Sequence, residues 1–159
     1  MTDQATVRAG VEAGDELAIQ GDLAAMAGLA DWVDGVVERH GLGEKVQFAA
    51  KLCLEESVSN SIRHGYGQRP DGQVRVRFSG DGVGGAVFTV EDDAPRFNPL
   101  EQAEMPAINP ETFEIGGQGI RLMRAFAGWL EYEATGTGNR LRIGFAGAGD
   151  AEDAAASSL

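Results

Sequence analysis

The stretch Leu52-Cys53-Leu54-Glu55-Glu56-Ser57-Val58-Ser59-Asn60-Ser61-Ile62-Arg63-His64 carries two patterns at once. It lies in a predicted helix from about residue 44 to 63, stopped near Gly65-Tyr66-Gly67. Glu56, Asn60 and His64 stand at four-residue steps and share one helix face. At about 100° per residue, Glu56 projects between Ala49 and Leu52, and Asn60 between Ala49 and Cys53, so polar groups interrupt an apolar arc. A buried carboxylate is costly unless it is paired or opens on a wet cavity. The stripe is therefore either a site or an internally bonded, solvated face. Helical geometry does not separate Glu55 from Glu56, because Glu55 also has apolar neighbours.

Working outward, Asp22 is a plausible N-cap for an earlier helix reaching about Arg39, with Leu23, Met26, Leu29/Ala30, Val33 and Val36/Val37 at helical spacing. His40-Gly41 ends it. Towards the C-terminus the period changes to two. Val74, Val76 and Phe78 alternate with Arg75 and Arg77, and Ala86, Phe88 and Val90 with Val87, Thr89 and Glu91. Leu130, Tyr132 and Ala134 alternate with Glu131 and Glu133, and Leu141, Ile143 and Phe145 with Arg140 and Arg142. Such strands have one buried and one wet face, and the glycine-rich turns at 79–85 and 136–139 would close hairpins. The fold class expected is α+β, a two-layer sandwich with a mostly antiparallel mixed sheet covered on one face by helices. Residues 94–116 form an irregular loop of a length that usually signals function or disorder. The domain is expected over residues 14–146, with 1–13 and 147–159 as flexible termini.

Composition narrows the function. Thirteen basic against 25 acidic side chains give a formal charge of −12, a poor match to nucleic-acid backbone or anionic lipid. One cysteine and two histidines exclude an internal disulfide and the usual structural zinc site. The start lacks a basic signal-peptide region and no apolar run approaches a membrane span, so a cytoplasmic protein is expected. The 23 glycines in 159 residues are about twice the average share and are expected in turns and ligand loops. No Gly-Lys-Ser/Thr phosphate loop and no His-Arg-Asp catalytic loop occurs. Cys53, Trp32 and Trp129 read as packing residues, and His64 as structural or near a ligand.

Two further motifs follow the helix. Glu91-Asp92-Asp93-Ala94-Pro95-Arg96-Phe97-Asn98-Pro99 puts acidic residues at a strand end before a proline-punctuated turn. Gly116-Gly117-Gln118-Gly119-Ile120-Arg121 opens a helix with a glycine-rich turn, where backbone N–H groups could meet phosphate. Each alone is weak. In this order, the three motifs resemble the N, G1 and G2 boxes of the GHKL ATPase superfamily, with its Bergerat fold. More closely, they resemble the small serine-kinase/anti-sigma-factor branch of bacterial partner switching. The resemblance covers roughly residues 14–146, and the closing Gly138-Asn139-Arg140-Leu141 also looks like that branch's final strands.

The resemblance implies Glu56, not Glu55, as general base, since the glutamate of that branch stands four residues before the asparagine. It implies Asn60 as Mg²⁺ ligand, Asp92 as acceptor from the adenine amino group, and phosphate contacts around Gly117 and Gly119. Ala94, Phe97 and Ile120 are its further nucleotide-binding positions. It implies ATP and Mg²⁺ as cofactors and a protein-serine kinase acting on a STAS-domain anti-sigma-factor antagonist. A second reading is a nucleotide-binding module that sequesters a sigma factor or other regulator, through an exposed apolar part of the first helix or through strand faces. A homodimer is implied by resemblance only. The pattern departs at Ala94, where the family has glycine. If a positive φ is needed there, alanine would strain the backbone by roughly 1–2 kcal/mol.

Overall fold

The computed structural model describes residues 15–65, 72–80, 84–102 and 118–147. It begins with a strand that the sequence pattern does not reveal, β1 (Glu16–Gln20). Only Leu17 and Ile19 turn towards the core there, too few for a period to register. Asp22 then caps as expected, its carboxylate accepting from the Ala24 N–H at 2.8 Å. The expected first helix is divided: Leu23–Gly28 is a 3₁₀ helix, and α1 proper runs over Leu29–His40. Gly28 stands at the junction, where a poor helix former makes the change of winding cheap. Gly41 ends α1 with φ 65°, the left-handed conformation open to glycine.

The second helix, α2 (Glu44–Asn60), continues as a single wide π turn over Ser61–Gly65, so regular α-winding stops at Asn60. Next come β2 (Gln73–Gly80), β3 (Ala86–Asp92), a 3₁₀ turn (Pro99–Gln102), α3 (Gln118–Phe126), β4 (Trp129–Ala134) and β5 (Asn139–Phe145). The sheet order is β1-β2-β3-β5-β4. Every pairing among the described strands is antiparallel, so the parallel component of the expected mixed sheet is not found there.

The helices cover one face. Val33 and Val36 of α1, Cys53, Leu54 and Val58 of α2, and Met123 of α3 are fully buried with Val74, Val76, Phe88 and Ile143 of the sheet. Trp32 meets Phe88 edge-on at 6.1 Å, as expected of a packing residue. Trp129 is 46% exposed, a partial correction, because it lies on the outer face over Gly144 where a side chain would strike its indole. The apolar stripe of α1 (Leu29, Val33, Val36) is spent on the core, while Ala24, Ala25 and Ala27 of the 3₁₀ turn before it stay exposed. The helices are joined by the Asp34 carboxylate, which takes Lys51 Nζ at 2.7 Å and Gln47 Nε2 at 2.6 Å.

The face that none of the described helices covers is a lattice of charge. Its outward residues are acidic on β1 (Glu16), basic on β2 (Arg75, Arg77), acidic on β3 (Glu91), basic on β5 (Arg140, Arg142) and acidic on β4 (Glu131, Glu133). Opposite charges face each other across every pairing, and like charges would meet in most other orders. Glu91 is the centre, bonded to both Arg77 and Arg140. Burial alone would raise its carboxyl, but the Arg140 hydrogen bond and the charges of Arg77 and Arg140 outweigh that and hold it below the ordinary glutamate value. A depressed carboxyl adds stability above its unfolded pKa and loses it as pH falls through the folded one. Glu91→Gln should therefore lower stability at pH 7 by about 2 kcal/mol. In denaturant melts the difference from wild type should shrink below about pH 4.

Candidate functional site

Helical rotation places Glu56 and Asn60 at the rim of the core. The buried side of α2 (Cys53, Leu54, Ser57, Val58) lies against the sheet, leaving Glu55 exposed and Glu56 and Asn60 half-buried. This burial separates two glutamates that spacing alone did not. Ser59 Oγ donates to the Glu56 carbonyl at 3.2 Å, which satisfies a buried hydroxyl on the neighbouring side.

The start of α3 sits on Glu56. A Cβ at Gly119 would collide with the Glu56 carboxylate where it now stands, so any larger residue there would have to push that side chain aside. The N-terminal end of α3 thus stands beside Glu56. Ile120, the next residue, is 2% exposed and part of the core, so it can offer a ligand its backbone only. Gly117 lies outside the described residues, as do residues 103–116 of the expected loop and the side chain of His64.

One turn further along α2, Asn60 and Ser57 face a narrow cleft whose other wall is Val90 and Asp92 of β3, Phe97, Tyr132 of β4 and Asn139 of β5. Asp92 lies on the helix-facing side because it continues the inward series Phe88, Val90. Its Oδ1 accepts from the Ala94 N–H at 3.1 Å and from Asn139 Nδ2 at 2.7 Å. Ala94 is 4% exposed, its methyl packed into the core cluster, so the residue that departs from the family pattern is accommodated as side-chain packing. Leu100, in the turn after this segment, accepts from Arg124 of α3 at 3.2 Å through its carbonyl. The strand end, the turn and α3 are therefore tied together.

Sequence reasoning missed Asn139. Its Oδ1 accepts from the Phe97 N–H at 2.9 Å and from the Tyr132 hydroxyl at 2.5 Å. Its Nδ2 donates to Asp92, to the Pro95 carbonyl at 3.1 Å and, longer, to the Ala94 carbonyl at 3.3 Å. The available signal was parity: Asn139 continues the inward series of Leu141, Ile143 and Phe145, and a polar residue there needs partners. Gly138 has a matching reason. A side chain there would run into the Asp92 carbonyl and Asp93 Cα.

The donor set constrains any metal. Among the described residues no three His, Cys, Asp or Glu side chains converge as a metal cage. Asn60 with a neighbouring carboxylate matches the way Mg²⁺ is held, through few protein oxygens plus substrate phosphates and water. The Cys53 thiol is pushed up to about 12 by burial, with the Glu56 charge adding to it. At pH 8 Cys53 should thus resist thiol reagents in the folded protein and react at the unfolding rate. Fast labelling of the native state would contradict the burial of this side of α2.

Residues 19–145 match the model of the histidine kinase-like ATPase domain. Over 89 residues the chain is 35% identical to the anti-sigma F factor of Clostridium novyi (strain NT), covering 54% of this chain and 59% of that one. Over 86 residues it is 33% identical to the anti-sigma F factor of Heyndrickxia coagulans, covering 53% and 58%. The chain thus spans less than two thirds of the length of these curated relatives. Among solved structures, the mycobacterial sensor histidine kinase MprB aligns with TM-score 0.47 and 16% identity over 83% of this chain and 97% of that one.

Proposed function

Because the chain belongs to the histidine kinase-like ATPase domain family, we propose that it is an ATP-dependent protein-serine kinase of the anti-sigma type, acting on a STAS-domain antagonist. The observation that carries this reading is the close approach of Glu56 and Gly119, with the Asn60–Asp92 cleft one helical turn away. That spacing suits a nucleotide with its base at Asp92 and its phosphates near the start of α3, a helix N-terminus that favours negative charge.

In this mechanism Asp92 accepts a hydrogen bond from the adenine amino group, and Phe97 lies beside the base. Asn60 would hold Mg²⁺, which supplies charge neutralisation on the phosphates. Glu56 accepts the proton of the incoming serine hydroxyl. The serine oxygen forms a bond to the γ-phosphorus as the bond to the bridging oxygen breaks, and ADP leaves. Transfer of this kind depends mainly on positioning and electrostatics, and a rigid junction of α2 and α3 provides positioning. The name shared by the relatives, anti-sigma F factor, supports a sigma factor as a second partner of this chain. The homodimer implied by resemblance remains part of the proposal.

A second reading, a sequestering module without transfer, draws on a different observation. Phe48 of α2 and Phe126 of α3 are 60% and 42% exposed and stack edge-to-face at 5.6 Å, forming an apolar patch beyond the cleft. Catalytic competence separates the two. With γ-labelled ATP and a STAS-domain partner, Glu56→Ala should cut phosphotransfer by at least about 100-fold, as loss of a general base does, and largely spare ATP binding. Undiminished transfer would overturn the base assignment. Absence of transfer by wild type, with stoichiometric partner binding, would favour the sequestering module.

A further inference from the structure

We propose that Asn139 is a specificity-setting positioning residue, which decides the nucleobase accepted by the cleft by holding Asp92 in one orientation; the inference rests on the ATP-binding reading above. Asn139 is 7% exposed, and its carboxamide is fully used. An amide oxygen accepts two hydrogen bonds and an amide nitrogen donates two. Here Oδ1 takes Phe97 N–H and Tyr132 O–H, and Nδ2 serves Asp92, Pro95 and, weakly, Ala94. Donors at one end and acceptors at the other allow only one amide orientation. Asn139 therefore has nothing left to offer a ligand. It acts through Asp92.

Asp92 is pinned in the same way. The Ala94 N–H and Asn139 Nδ2 both engage its Oδ1, at 3.1 and 2.7 Å, which leaves the other oxygen for a ligand donor. The strands cannot slip, since Asp92 and Asn139 are direct partners in the β3–β5 register and Gly138 fits only without a side chain. An ionised carboxylate accepts and does not donate. At the corresponding ring position adenine presents an amino group and guanine a carbonyl oxygen. A carboxylate fixed in place rewards the first and leaves two acceptors opposed with the second, the arrangement that discriminates strongly. A carboxylate free to rotate could turn away from the carbonyl and admit water, and the discrimination would fall.

The test is the ratio of GTP to ATP dissociation constants, measured by fluorescence competition on the whole chain. Asn139→Asp is isosteric and replaces the Nδ2 donor with a second acceptor facing Asp92. Asn139→Ala removes the same bond with no change of charge, and thermal melts without nucleotide identify which variants are folded. The ratio is expected to fall at least tenfold in a folded variant, because ATP binding weakens and GTP binding changes less than threefold. A purely structural role would weaken both nucleotides by the same factor, and an unchanged ratio in the folded variants would overturn the proposal alone. No ATP binding by wild type would overturn it together with the reading it rests on.

Discussion

Cys53, Leu54 and Val58 of α2 are fully sealed against the sheet, while Glu56 and Asn60 on the same helix stay half-buried at its rim. The remaining features depend on this division. Burying a large apolar side chain is worth about 1.5–3 kcal/mol, so the rotation of α2 about its axis is set by its core side. A rotation of one residue would carry Glu56 into the apolar layer, where an unpaired carboxylate is not tolerated. The packing that stabilises the domain thus also aims its polar groups, and Gly119 of α3 leaves the Glu56 carboxylate room to hold its present position.

The sheet supplies the other wall by a related economy of position. Its outer face carries alternating columns of charge that match the order β1-β2-β3-β5-β4, so the topology is reinforced on the face that none of the described helices covers. Its inner face is apolar until the strand ends. There Asp92 and Asn139 extend the inward series of β3 and β5 as polar residues, each satisfied by the other and by the turn at 94–97. The cleft lies where the apolar alternation stops and α2 still passes overhead.

Much of this could be read from the residues. The four longer strands announced themselves by strict alternation, and Asp22 and Gly41 marked the first helical segment by capping chemistry. β1 was hidden because five residues with two inward side chains carry no clear period. The 3₁₀ start of the first helical segment and the π turn after Asn60 were also hidden, since hydrophobic spacing barely distinguishes neighbouring windings. For the site, helix spacing found Glu56 and Asn60 together, but their separation from Glu55 required burial, or the family pattern. Asn139 was passed over as a turn residue because its partners lie 42 to 47 positions away along the chain, apart from Tyr132. Gly138 was legible as a turn glycine, whereas its close approach to Asp92 is a tertiary fact.

On the proposed reading, the rim of α2 and the ends of β3 and β5 form a magnesium-dependent ATP site. Calorimetric titration of ATP into the purified chain, with and without Mg²⁺ and beside Asn60→Ala, tests it most directly. Binding that requires Mg²⁺ and is lost in Asn60→Ala is the expected result. A wild-type protein that binds no ATP, or one whose binding is indifferent to both Mg²⁺ and Asn60, would contradict it.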